Sequence, residues 1–213
     1  MSVGMVIRAP RRPPSTMRGT MAIATARQLA GAAWSMVEAA AYPAIRVLRG
    51  AFGIVYGPPG AGKSSMALRW MDSVAGAVIY VAAEEGLGPA LSGKCSRLAV
   101  RRPDLHLVAG GSVDDLVDLL RSVRARALCI DSLSVSQILP NELRHIQEIT
   151  AVPLVIGTLQ ITKAGLPAGS NAWLHEADIV IAINNMKWLI EKSRYQPTGA
   201  KGSILDESER DSV

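Results

Sequence analysis

Cysteine is scarce in this chain: two among 213 residues, Cys95 and Cys129, with no CxxC spacing. That excludes a disulfide framework and a zinc ribbon. It fits a reducing, cytoplasmic compartment, that of a bacterium or of a virus's host. Aromatic residues make up only 4%, with a single phenylalanine, so the core has to be built mainly from Ala, Val, Leu and Ile. No apolar run approaches the roughly 18 residues that a membrane helix needs, and no spanning segment is expected. Acids are missing from residues 1 to 37, which hold Arg8, Arg11, Arg12, Arg18 and Arg27. The remaining 18 basic residues balance 18 acids, so the net charge of +5 sits in that arm. A uniformly basic surface for nucleic acid is therefore not expected, whereas a basic arm or a locally basic site stays open.

What is present is ordinary for a folded domain: 49% apolar and 19% charged residues over a length that suits one domain with an arm. Residues 1–19 carry Pro10, Pro13, Pro14 and four arginines and read as a basic flexible arm. Residues 20–199 read as one domain, opened by an Ala-rich helix from Thr20 to Ala41 that Pro43 stops. Residues 200–213 read as an acidic flexible tail. Within the domain, short β-branched runs alternate with helical stretches. The strands are expected at Phe52–Tyr56, Ala77–Ala82, Leu105–Val108, Ala127–Ile130, Leu154–Thr158 and Ile179–Ile183, with a last one at Met186–Lys192. Helices are expected at Gly62–Met71, Gly88–Val100, Val113–Ala125 and Asn141–Ile149. Such alternation implies βαβ crossovers, and the fold class is α/β: a mostly parallel twisted sheet with helices on both faces.

One motif dominates. Gly57-Pro58-Pro59-Gly60-Ala61-Gly62-Lys63-Ser64 matches G-x-x-x-x-G-K-[ST], follows an apolar run and opens a helical stretch beginning at Ser65. Glycines let successive backbone N–H groups turn inward around phosphate oxygens, and the helix N-terminus adds its dipole. Lys63 reaches the outer phosphates, and the Ser64 hydroxyl is the candidate magnesium ligand. The run Ala127-Leu128-Cys129-Ile130 ends in Asp131, a carboxylate suited to the magnesium's water shell. The run Val78-Ile79-Tyr80-Val81-Ala82-Ala83 leads into Glu84 and Glu85. Acids at the carboxyl end of a parallel strand face the ligand crevice, and one of this pair is the candidate general base.

These signals, in this order, resemble the RecA-like branch of P-loop ATPases, and most closely the ATPase core of RadA-type recombination proteins, over residues 50 to 199. The family's YVSGEES corresponds to Tyr80-Val81-Ala82-Ala83-Glu84-Glu85-Gly86 and implies Glu84 as the catalytic glutamate. Its DS matches Asp131-Ser132. Its HVTK matches Gln160-Ile161-Thr162-Lys163, with Gln160 as the residue type that other RecA-like proteins use to sense the γ-phosphate. Its AGP…H..D matches Ala168, Gly169, His175 and Asp178, with Ser170 in place of proline. Its KNRFG matches Lys192-Ser193-Arg194-Tyr195, with Gln196 where glycine is expected, and implies that Lys192 and Arg194 serve a neighbouring subunit's nucleotide. There is no four-cysteine zinc module and no protease-like domain beside the core.

The resemblance implies Mg-ATP hydrolysis (ATP and Mg2+ as ligands) by a homo-oligomer, a hexameric ring or a filament, acting on DNA in recombination, repair or replication. Single-stranded DNA is expected to meet the loop from Lys163 to Trp173 and the basic arm. Lys163 is the only charge in that loop, a thin basis for binding phosphates. Trp173 reads either as a base-stacking residue or as core, and core is commoner near a helix start. Two other readings are carried: a nucleic-acid-translocating motor like DnaB-type helicases or viral packaging ATPases, and a KaiC-like regulatory ATPase whose partner is a protein.

Overall fold

The structure is a computed structural model, and it describes residues 24–30, 32–161 and 171–205. The expected basic arm lies outside the described residues, as do Thr162 to Ser170 and the last eight residues.

Along the chain, α1 (Ala26–Ala30) precedes two short strands, β1 (Met36–Val37) and β2 (Val47–Leu48), which pair antiparallel. The main body follows as β3 (Ala51–Gly57), α2 (Lys63–Ser73), β4 (Val78–Ala82), α3 (Pro89–Arg97), β5 (Leu105–Val108), α4 (Val113–Ser122) and β6 (Ala127–Asp131). It continues with α5 (Leu133–Ser136), α6 (Pro140–Thr150), β7 (Leu154–Gln160), α7 (Asn171–Glu176), β8 (Ile179–Asn184), β9 (Lys187–Ser193) and β10 (Lys201–Ser203). Eight strands form one sheet in the order β10-β9-β8-β3-β7-β6-β4-β5. Only β9 runs against the others. The result is a mixed α/β architecture with a large, mostly parallel central sheet flanked by helices.

Local chemistry explains where the helices begin. Ser112 caps α4 by accepting from Asp115 N–H (3.1 Å), and the Asp115 carboxylate returns the bond to Ser112 N–H (2.8 Å). Pro89 and Pro140 open α3 and α6, where the missing N–H costs nothing. The central strands are apolar throughout; all five residues of β6 are buried, as expected for a sheet covered on both sides. One face packs under α2 and α3 through Met66, Trp70, Met71 and Leu91, and the other under α4 to α7 through Leu116, Leu120, Leu143, Ile146 and Trp173.

Two expectations are corrected. The helix from Thr20 to Ala41 gives way, after the short α1, to β1 at Met36–Val37 and a bridge from Ala39 to Val74. Ala-rich propensity is a weak preference, and here Val37, Ala39 and Tyr42 bury themselves instead, with Tyr42 edge-on to Trp70 and Trp188. The tail does not begin at residue 200. Lys201–Ser203 forms β10 on the edge of the sheet, and Ile204 and Leu205 are buried behind it. The apolar pair Ile204-Leu205, set just before the acids, is what ties this segment down. Among the described residues no helix is long and apolar enough to cross a membrane.

Candidate phosphate-binding site

Parallel strands deliver their carboxyl ends to one rim of the sheet, and the motif residues gather there. The loop from Gly57 to Gly62 joins the end of β3 to the start of α2. Two glycines are obligatory. A Cβ on Gly57 would lie 2.2 Å from the carbonyl oxygen of Ile183. Gly62 has φ 105, and a Cβ there would lie 2.5 Å from Met186 Sδ. The β8–β9 turn thus forms the back wall of the loop, and Met186 N–H donates to Ala61 O (3.0 Å). Lys63 is buried, and its ammonium curls back to donate to Pro58 O (2.7 Å). Burial lowers its pKa, with a smaller contribution from Lys94, while Asp131 and Glu84 push the other way.

Asp131 stands at the end of β6, beyond β7 as seen from β3. Its carboxylate is buried and held at both oxygens: Tyr80 Oη donates to one (2.5 Å) and Thr158 Oγ1 to the other. Burial, and then the Asp131 charge, raises the Tyr80 pKa well above its ordinary value, so this phenol stays a donor. The adjacent Ser132 hydroxyl is buried without a hydrogen-bond partner. Burial also pushes the Cys129 thiol far up, and it is an inert core group.

Glu84 and Glu85 separate in role. The register places Ala82 opposite Asp131, and Glu84 N–H donates to Asp131 O (3.1 Å). The Glu84 side chain is exposed to the crevice and accepts from Gln160 Nε2 (2.7 Å). Gln160 ends β7 directly opposite Gly57, at the first residue of the phosphate loop. Glu85, by contrast, is half-buried and locked to Lys94 on α3 (2.6 Å). So the residues named from the sequence at Gly57 to Ser65, Glu84, Asp131 and Gln160 come to one rim.

Two named residues do not come to it. Because β9 runs antiparallel to β8, Lys192 lies opposite Val180 and Ser193 opposite Ile179, at the amino end of the sheet. That is a strand length, on the order of 20 Å, from the loop. Lys192 Nζ donates to Leu174 O (2.6 Å) and His175 O (3.1 Å), and Arg194 pairs with Asp178 (3.1 Å). Asp178 also accepts from Phe52 N–H (2.9 Å) and from Arg144 (3.0 Å), so it is a knot between β3, α6 and β8. Of the two readings of Trp173, core is the one observed: it is buried against Phe52, with ring centroids 5.8 Å apart, and presents no face for a base. Lys163 to Ser170 of its expected nucleic-acid loop lie outside the described residues, and Asn171 and Ala172 open α7.

The sequence reading missed Tyr80, Thr158 and Lys94. Tyr80 sits in an apolar strand and reads as core; only the register beside β6 turns its hydroxyl onto Asp131. Lys94 carries a weak signal, a basic residue nine positions after Glu85 in a helix.

The residues present suit a phosphate-bound magnesium. Magnesium keeps most of its water and takes one or two protein oxygens beside substrate phosphates. A buried, oriented carboxylate with an orphaned hydroxyl beside it matches that demand, and among the described residues no cluster of three or more metal-ligating side chains forms a closed cage. A scan against protein-family models matches none, and no curated protein matches the chain, so its reading rests on its own residues and their geometry.

Proposed function

We propose that the chain is a RecA-like P-loop ATPase that binds and hydrolyses Mg-ATP and acts on nucleic acid as an oligomer. The observation that carries this reading is the gathering of the glycine loop with Lys63, the doubly held Asp131 and the Glu84–Gln160 pair at the carboxyl ends of neighbouring strands. The strand order supports the RecA-like assignment: β7 lies between the loop strand and the Asp131 strand, and the Glu84 strand lies beyond them.

In this reading the N–H groups of the loop and the α2 dipole take the phosphate oxygens. Lys63 exchanges Pro58 O for a β- or γ-phosphate oxygen, and that contact repays its burial. Ser64 and Asp131 are the residues that would hold a magnesium ion, which would supply neutralisation of phosphate charge. Glu84, which among the described residues forms no ion pair, accepts a proton from the attacking water. Gln160 donates to Glu84 without substrate and is placed to turn toward the γ-phosphate, which frees the carboxylate when the substrate is in place. Glu85 and Lys94 hold the β4–α3 loop in shape.

The test is magnesium-dependent release of phosphate from ATP and GTP, beside Lys63→Ala. The expected result is turnover of ATP, lowered a hundredfold or more by the substitution, in line with the loss of a preorganised phosphate donor. Equal turnover by Lys63→Ala overturns the reading.

A further inference from the structure

The end of the sheet remote from the phosphate loop carries a cleft of about 260 Å³ lined by Arg49, Arg121, Arg124 and Arg126. Its position follows from the topology. Arg49 leads into β3, Arg126 leads into β6, and Pro153 of the lining leads into β7. Arg121 and Arg124 come from the end of α4, and Thr150 and Ala151 from the end of α6.

Four arginines contribute to the cleft's lining, and no carboxylate is among the lining residues. Arg121 donates to Ile149 O (3.3 Å), and among the described residues none of the four forms an ion pair. Other arginines of the body behave differently: Arg102, Arg144 and Arg194 each hold a carboxylate. All four cleft arginines are exposed, so their charges are open to a ligand. The lining has no aromatic side chain to stack a base, and its remaining members are small or aliphatic apart from Thr150. Guanidinium forks match phosphate oxygens, and with no aromatic platform and few neutral polar groups in the lining the charge term dominates.

We propose that this cleft binds consecutive phosphates of a nucleic-acid backbone, without base selectivity. The proposal deepens the nucleic-acid part of the reading above and rests on none of its nucleotide chemistry. It also resolves a shortage of charge: the body is neutral in sum, yet it concentrates cations at one place.

The test is fluorescence-anisotropy titration of a mixed-sequence single-stranded oligonucleotide from about 50 to 200 mM salt, using the full chain. Four phosphate contacts to a single strand give a slope of log affinity against log salt near −3, about −0.7 per contact. The variant is Arg49→Gln with Arg124→Gly. Arg124 has φ 51, a conformation glycine adopts without cost, so this exchange spares the fold. The expected result is a loss of roughly tenfold or more in affinity and a slope smaller in magnitude by about 1.4. The same titrations are run with Arg8, Arg11, Arg12 and Arg18 changed to Gln, because the arm is a second source of cations. Parent-like affinity and slope in the cleft variant overturn the proposal, as does binding that depends on the arm alone. Binding of inorganic tripolyphosphate without binding of oligonucleotide also overturns it, in favour of a free polyphosphate. Lys63→Ala is expected to bind the oligonucleotide like the parent, so a failure of the ATPase reading leaves this result standing.

Discussion

The two ends of the sheet use charge in opposite ways. At the carboxyl ends, ionic and polar groups are held by neutral hydrogen-bond partners: Lys63 on Pro58 O, Glu84 by Gln160, Asp131 by Tyr80 and Thr158. At the amino ends, Asp178 is tied by a backbone N–H and two arginines into a permanent knot, and beside it lies a cleft of arginines facing solvent. In the proposed reading the first arrangement serves turnover, because Lys63 and Gln160 each donate to an oxygen for which a phosphate oxygen is an alternative. The second stores stability at Asp178, and binding capacity where no carboxylate answers the arginines. Substitutions at the two ends should therefore separate turnover from stability.

The largest effect is expected for Glu84→Gln. The amide keeps the shape but is no base, so turnover should fall by about a hundred- to ten-thousandfold while nucleotide binding and melting temperature stay near the parent's. Glu85→Gln should lose the Lys94 ion pair and only modest activity. If the two variants exchange these results in a phosphate-release assay, the base is Glu85.

Next comes Asp178→Asn, at the other end. It removes a charge shared by a backbone N–H, half-buried Arg144 and exposed Arg194, while Arg144 keeps Glu176 at 3.9 Å, and should cost about 1.5–3 kcal/mol in a denaturant melt. Activity per folded molecule should be unchanged. Arg194→Ala is the smaller version, since Asp178 retains Arg144 and the Phe52 N–H; a loss of about 1–2 kcal/mol is expected. A fall in turnover at unchanged stability would return Arg194 to the role of a cation for a neighbouring subunit.

The smallest effect is alkaline. Burial, reinforced by the bond to Glu191, pushes Tyr56 up to about 12. Burial, reinforced by Asp178, does the same for Tyr195, also to about 12. In the unfolded chain both lose their protons near 10. Between pH 10 and 12 the folded state therefore binds more protons, and stability should decline as pH rises through that window. Thermal melts across it, beside an ultraviolet titration in which Tyr56 and Tyr195 ionise late, together with the buried Tyr80, check the sign.

Much of the phosphate end was legible in the sequence. A glycine loop between a strand and a helix is a local pattern, and strand-end acids announce themselves by following apolar runs, which marked Asp131 and the pair Glu84 and Glu85; the choice of Glu84 within the pair, and Gln160, came from the resemblance to RecA-like ATPases. The central strands were equally readable, because residues buried on both faces leave continuous apolar runs. The misreadings concern residues whose fate depends on distant partners. The stretch around Met36–Val37 has helix-forming neighbours, and only β2 makes it a strand. Lys192 and Arg194 are a different case: they are expected to serve a neighbouring subunit's nucleotide, and the reversal of β9 sets them away from this chain's own loop, held by Leu174 O, His175 O and Asp178.

By itself, then, the sequence determined the glycine loop, the alternation of strands and helices and the acids that follow two strands, since each depends on backbone freedom or burial within a few residues. The tertiary structure alone decided that Tyr80 and Thr158 grip Asp131, that Gln160 rather than a cation holds Glu84, and that arginines 49, 121, 124 and 126 share one cleft. The reason is strand order: inserting β7 between β3 and β6 makes neighbours of residues far apart in the chain, and no local pattern records which strands will lie side by side.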